Sequence, residues 1–220
     1  MRKVALENGE FYHIYNRGAG KCDVFLDKYD AERFLQSVKL FNNIEPIGSI
    51  FDLKIKEQTN KGLSDSPRNL NKKLVNIVCY CFNPNHYHFI LEQLVDGGIS
   101  EFMKRLGGGY TQAFNLKYKR SGVLFQGKFK SVHIESNEQL LHDSVYVNLN
   151  NKVHKKFDGI KKHFLDLNPN RSSWDEYHIK GKKGFCKKGT ILDQFKDIKD
   201  YKKFAEETLK EIREMRYGNE

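Results

Sequence analysis

Apolar positions divide the chain into short strand-like runs and longer helical ones. Phe11 to Asn16 (FYHIYN) is dense in aromatic and β-branched residues and predicts a strand, which Arg17-Gly18-Ala19-Gly20 ends. From Asp27 onward Ala31, Phe34, Leu35, Val38 and Phe41 recur at helical spacing, so a helix follows. Ile47 to Lys56 reads as a second strand, and Gln58 to Lys73, where Gly, Ser, Asn and Pro interrupt the charges, as a solvated loop leaving the core. Leu74 to Phe82 (LVNIVCYCF) and His86 to Leu94 (HYHFILEQL) are separated by Asn83-Pro84-Asn85 and predict an antiparallel hairpin. A helix is expected from Ser100 as N-cap, with Phe102, Met103 and Leu106 on one face and an interruption at Gly107-Gly108-Gly109 before Tyr110 to Tyr118. Phe125 to Glu135 reads as another hairpin around Gly127. Ser136 caps a helix running to about Asn151, packed through Leu140, Leu141, Ser144, Val145 and Leu149.

After Asn151 the pattern becomes basic and poor in apolar residues, so the first core is expected to end there, near residue 156. Residues 157–220 then form a basic, partly helical tail, and residues 42–73 an insertion or extended loop. Within the tail, Tyr201 to Arg216 carries Phe204, Ala205, Leu209, Ile212 and Met215 at helical spacing, which suits packing or a homodimer contact.

Charge narrows the partners. The 220 residues carry a formal net charge of +10, which favours a polyanion through counterion release from a phosphate backbone. Lys180, Lys182, Lys183, Lys187 and Lys188 follow one another without an intervening acid, and Lys117, Lys119, Arg120, Lys128 and Lys130 sit among the aromatics Phe114, Tyr118, Phe125 and Phe129. Both groups are phosphate-contact candidates, and the aromatics offer stacking platforms for unpaired bases. No stretch approaches the roughly 20 apolar residues of a membrane span, and none follows Arg2 and Lys3, so the expectation is a soluble, cytoplasmic protein. The four cysteines, Cys22, Cys79, Cys81 and Cys186, are too scattered for a disulfide framework and read as reduced packing residues.

Side chains two apart on a strand leave the same face, so His86 and His88 aim two imidazoles at one point, as a divalent metal site requires, while Tyr87 points away. A metal beside a basic surface invites phosphoryl transfer, and no cluster of acids stands ready to hold two ions around a water. That directs attention to the eleven tyrosines as attacking groups. A third ligand one helical turn from the nucleophile would sit at i+4. Only Tyr12, with Asn16, and Tyr146, with Asn150, have an oxygen-bearing residue there, and Tyr12 lies in an apparent strand. Tyr146 and Asn150 are therefore the better pair. A free phenol has a pKa of about 10, so the site must help remove its proton.

The succession of motifs is more specific than any one of them. Tyr12-His13-Ile14 with Asn16-Arg17-Gly18, Asn83-Pro84-Asn85-His86-Tyr87-His88, Tyr110-Thr111 with Phe114-Asn115, Phe125-Gln126-Gly127-Lys128-Phe129-Lys130-Ser131 and Tyr146-Val147-Asn148-Leu149-Asn150 together resemble the HUH-class tyrosine transposases over about residues 11 to 154. The likeness is nearest to the REP-associated tyrosine transposases, relatives of the small single-strand insertion-sequence transposases. The family usually has a small or aliphatic residue where Tyr87 stands, and its helix usually reads Tyr-Ile-His-Leu-Asn-Pro where this one has Asn148 and Asn151. Arg171-Ser172-Ser173-Trp174-Asp175-Glu176-Tyr177 echoes it again in the tail.

The resemblance implies an α+β, ferredoxin-like antiparallel sheet with helices packed on it, in a catalytic domain over residues 1–156. It also implies Mg²⁺ or Mn²⁺, cleavage and rejoining of single-stranded DNA through a 5′-phosphotyrosine, and recognition of palindromic hairpins. His86 and His88 would be metal ligands, Tyr146 the nucleophile, Asn150 the third ligand, and Arg17 one of the DNA contacts. A domesticated hairpin-binding or nicking protein and a metal nuclease using water are the alternative readings.

Overall fold

The computed structural model describes residues 5–48, 50, 72–153 and 171–218. Strand β1, Phe11–Arg17, leads into helix α1, Lys28–Phe41. Strands β2, Val75–Asn83, and β3, His86–Gln93, form the expected hairpin, followed by helix α2, Gly98–Lys117, and strand β4, Lys130–His133. The four strands are antiparallel neighbours in the order β2-β3-β1-β4, the ferredoxin-like arrangement in which β1 and β3 lie at the centre. The chain continues through helices α3, Asn137–Asn148, α4, Asn150–Val153, α5, Trp174–His178, α6, Gly189–Leu192, and α7, Ile198–Tyr217.

Each face of the sheet is covered. Tyr12, Ile14, Tyr80, Phe82, Tyr87, Phe89 and Leu91 bury one face against Phe34 and Val38 of α1 and Phe102, Leu106 and Tyr110 of α2. On the other, Val78, Cys79 and Ile90 meet Leu140 and Val145 of α3, Tyr177 of α5 and Tyr201 and Ala205 of α7. The residues placed in a tail by composition thus share a hydrophobic cluster with the sheet. The charged exterior of α7 hid this, because its packed stripe is only Tyr201, Ala205, Thr208 and Ile212.

Register shifts between Ile77 and Cys79, where β2 carries one more residue than β3. This β-bulge exchanges the faces of the residues beyond it. It keeps Tyr80 and Phe82 with the first cluster and turns Cys79, Cys81 and Asn83 toward α3, which is why the run LVNIVCYCF is apolar throughout.

Caps at Asp27 and Ser136 start α1 and α3 as the sequence indicates, Asp27 accepting from Asp30 N and Ser136 from Gln139 N. Four local expectations are corrected. Helix α2 starts at Gly98 rather than after Ser100, because Gly97 adopts φ 68° and Gln93 Oε1 accepts from Ile99 N, so the cap comes from β3. The same helix runs unbroken through Gly107-Gly108-Gly109. Phe125 to Glu135 is not a hairpin, since Phe125 bridges Gly18 while Lys130–His133 pairs with β1. The strand expected over Ile47 to Lys56 is not seen where it is described, since Ile47 and Gly48 are irregular and Ile50 is helical, both isoleucines packing with Phe41; its remainder, most of the loop to Lys73 and the boundary near residue 156 lie outside the described residues.

The triple glycine gives a stability test. A Cβ on Gly109 would stand 2.7 Å from the Phe41 ring, whereas Gly107 and Gly108 face open space. Gly109→Ala should therefore lower stability by about 1–3 kcal/mol through overpacking. Gly107→Ala and Gly108→Ala should raise it by up to about 1 kcal/mol through helix propensity, all three read by urea unfolding.

Candidate active site

Alternation along three strands brings the site together. On the face turned to α3, register sets Tyr15 of β1 between His88 of β3 and Lys130 of β4, Arg17 beside His86, and His13 beside Ile90. Helix α3 crosses this row and lowers Tyr146 onto it, the phenol ring meeting His88 and His13 edge-on at 5.8 Å between centroids in each case. Tyr15, Asn16, Arg17, His86, His88, Gln126, Lys130, Tyr146 and Arg216 of α7 line one cleft of about 500 Å³. Both histidines and the tyrosine singled out by spacing share it. Tyr87 points the other way, buried against Phe34 and Phe125 in a layer with room for its ring.

Hydrogen bonds set the ring nitrogens. His86 Nδ1 lies 2.6 Å from Asn85 Oδ1, an acceptor, so Nδ1 carries the hydrogen and Nε2 keeps its lone pair. The Asn83 amide nitrogen is 3.0 Å from that Nε2 and 2.8 Å from Asn150 Oδ1, donating to both. Asn83 is itself oriented by buried Arg171, whose Nη2 donates to Asn83 Oδ1 at 3.1 Å and whose Nε donates to Phe82 O. An arginine never accepts, so the amide group of Asn83 must face the histidine and Asn150. Asn150 is fully buried, and among the described residues its own Nδ2 has no partner. An unmet buried donor costs about 1–3 kcal/mol, so Asn83 imposes this orientation on Asn150.

These donors fit a divalent cation. His86 Nε2 and Asn150 Oδ1 both face the Asn83 amide nitrogen, which a cation held by them would displace, and the His88 ring lies 5.1 Å from that of His86. Among the described residues no three His, Cys, Asp or Glu side chains group as a metal site. Cys81 pairs with His88 on the same face, but burial pushes its thiol up to about 11, with Arg171 opposing, and it stays protonated. Burial likewise lifts Cys79 well above the usual thiol range. Among the four cysteines none is bridged.

His13, Tyr15, Asn83 and Arg171 were not singled out by spacing. His13 Nε2 is 2.8 Å from His88 Nδ1, and burial lowers the His13 pKa below the ordinary imidazole range while the Asp143 carboxylate pulls it upward. The signal for His13 and Tyr15 was their i, i+2 alternation, the same as that of His86 and His88. Asn148, where the resemblance leads one to expect histidine, is buried between Ser173 Oγ, 2.6 Å from its Oδ1, and the Tyr201 hydroxyl. It ties α3 to the later helices.

The basic candidates separate by position. Arg17 and Lys130 line the cleft, Arg17 held by Gln126 Oε1 at 3.1 Å. Lys128 lines a groove of about 980 Å³ on the α2 side with Phe129, Gly107 and Gly108. Lys117 is engaged instead by Asp27 and Asp30, at 2.7 Å each, joining α2 to α1. Arg120 stacks over Phe114 at 5.5 Å, and Lys119 neighbours it with φ 49°. Lys187 pairs with Glu92 at 3.0 Å, Lys188 donates to the carbonyls of Glu176 and Lys182, and Lys182 and Lys183 are exposed.

Comparison with known proteins gives one family model and one solved structure that are similar to this chain. Residues 49–150 match the family model described as "Transposase IS200 like". That match spans a little under half of the 220 residues, and over it the chain is similar to the IS200-like transposases. Among solved structures, a REP-associated tyrosine transposase bound to a REP hairpin superposes with a TM-score of 0.51 at 16% identity, covering 84% of this chain and 88% of that one. That likeness extends to the fold, including the α+β sheet with its helices. No curated protein matches the chain. Among the described residues, no helix is long and apolar enough to cross a membrane.

Proposed function

We propose that this chain is an IS200-like transposase that cleaves and rejoins single-stranded DNA at hairpin-bearing sites through a 5′-phosphotyrosine on Tyr146. The observation that carries the reading is the single cleft shared by Tyr146, His86 and His88 and rimmed by Arg17, Lys130 and Arg216. In the reaction Tyr146 Oη forms a bond to the scissile phosphorus, the P–O3′ bond breaks, and the phenolic proton leaves while the 3′ oxygen gains one. The reverse attack by a 3′-hydroxyl rejoins the strand. His86, His88 and Asn150 would hold Mg²⁺ or Mn²⁺, which when bound polarises a phosphate oxygen. Arg17 and Lys130 hold the flanking phosphates, and Tyr15 offers its ring to an unpaired base.

Two sets of measurements test this. With Mg²⁺, a labelled single strand carrying a hairpin should be nicked while blunt duplex of the same sequence is spared. Equal cutting of both would count against the reading. In binding, Arg17→Ala and Lys130→Ala should each weaken hairpin affinity and reduce the salt slope by about 0.7 if each removes one single-strand phosphate contact. Lys117→Ala should leave that slope unchanged and lower folding stability instead, because its charge already serves Asp27 and Asp30. A larger loss of slope from Lys117→Ala than from Arg17→Ala would place the DNA on the other face.

A further inference from the structure

We propose that the groove between α2 and residues 123–129 holds an unpaired nucleotide of the same DNA strand that the cleft cuts. The proposal rests on the hairpin-DNA reading above. Groove and cleft are neighbours: Asn16 lines both, and the segment Phe125-Gln126-Gly127 divides them, with Gln126 lining the cleft and Phe125 and Gly127 the groove. Gln126 N donates to Arg17 O at 2.7 Å, and Asn16 Nδ2 donates to Gly127 O at 3.1 Å, which ties the divider to β1. Arg17, Gln126 and Gly127 are all exposed, so a strand leaving the cleft crosses into the groove over them.

The α2 wall has the period of a helix face. Ser100, Met103, Lys104, Gly107, Gly108 and Thr111 follow one another in steps of three and one, and all line the groove. Gly109 is required by the Phe41 ring, but a Cβ on Gly107 or Gly108 would meet no atom within 4 Å. Glycine inside a helix is less stable than alanine, so two glycines are kept here at a cost that no contact within the chain repays. Bare backbone of this kind suits the close approach of a ligand. The other groups fit a nucleotide. Phe125 and Phe129 give aromatic surface on which any base can stack. The Thr111 hydroxyl makes no hydrogen bond among the described residues, and a hydroxyl serves a base edge as donor or acceptor alike. Lys128 forms no ion pair among the described residues, the Lys104 side chain is 80% exposed, and no acidic side chain lines the groove, so its charge is complementary to a phosphate.

The test uses the full chain and a DNA hairpin with unpaired thymidine flanks, in which single thymines are replaced by 5-iodouracil one position at a time. Ultraviolet light joins that base to the side chain it rests on, and mass spectrometry of the digested adduct should find Phe129 or Met103 for at least one flank position. Gly108→Leu, which fills the groove from an open helix position, should weaken binding of the flanked hairpin roughly tenfold, about what one stacked base contributes. Its affinity for the same hairpin without flanks should equal that of wild type, and its urea midpoint should be no lower. Lys128→Gln, at an exposed position that tolerates the change, should reduce the salt slope by about 0.7 for the flanked hairpin and leave it unchanged for the trimmed one. Cross-links confined to cleft residues such as Tyr15, with Lys128→Gln and Gly108→Leu binding the flanked hairpin as wild type does, would overturn the groove assignment and leave the hairpin reading standing. If wild type binds neither hairpin, the hairpin reading fails, and the groove assignment fails with it.

Discussion

Tyr146→Phe should abolish nicking and strand joining together while leaving the fold intact. Among the described residues the phenol hydroxyl takes part in no hydrogen bond given by the structure, and the ring packs edge-on against His13 and His88, contacts that phenylalanine keeps. The stability change should therefore stay within about 0.5 kcal/mol. Chemistry has no such tolerance. The phenol oxygen is the atom that bonds to phosphorus, and removing a nucleophile outright costs on the order of 10⁴-fold or more in rate. Denaturing gels of labelled hairpin DNA would measure both products in one lane. A water-using nuclease would instead keep its nicking rate in Tyr146→Phe, and joining would be absent from the wild type as well.

The second large effect falls on the histidines. His86→Ala should eliminate cleavage at millimolar Mg²⁺ yet leave hairpin affinity nearly unchanged, because the phosphate contacts assigned to Arg17 and Lys130 do not pass through it. His88→Ala should do the same to cleavage with a greater loss of stability, since His88 is only 7% exposed and bonded to His13. Asn150→Ala is expected to slow cleavage rather than stop it, with partial recovery at high Mn²⁺. It should also cost about 1–3 kcal/mol of stability, because the Asn83 amide loses its acceptor in a buried place. Chelation of divalent ions should reproduce the His86→Ala phenotype in the wild type. Full activity of His86→Ala in Mg²⁺ would remove the metal assignment.

Much of this arrangement was legible in the sequence, for definable physical reasons. The period-two spacing of His86 and His88 states that they share a face, a local rule; the i+4 spacing of Tyr146 and Asn150 assumed one continuous helix to about Asn151, whereas α3 ends at Asn148 and Asn150 opens α4. Hairpin β2–β3 and helices α1 and α3 carried their own punctuation in Asn83-Pro84-Asn85, Asp27 and Ser136. What escaped depended on partners distant in the chain. Gln93 caps α2 from the preceding strand, and Phe41 uses the space left by Gly109, so neither the start of α2 nor its continuity could be read from residues 97–109 alone. Asn83 faces the site only because of the bulge after Ile77, and Arg171 reaches it from 88 positions away in sequence. The composition of residues 157–220 suggested a basic tail outside the first core, with a helix suited to packing or a homodimer contact, yet Tyr177, Tyr201 and Ala205 join the cluster on the sheet face turned to α3. Asn148 and Ser173 show the same coupling in polar form, joining the helix of the nucleophile to that segment.

The most direct test of the central claim is to locate the covalent bond itself. Wild-type protein incubated with Mg²⁺ and a hairpin strand labelled on the 3′ side of the cut should form a denaturation-resistant adduct. Proteolysis and mass spectrometry should place the 5′-phosphate on the peptide containing Tyr146, and a free 3′-hydroxyl strand should be able to reverse the link. Cleavage without any adduct, or an adduct on another residue such as Tyr15, would contradict the account.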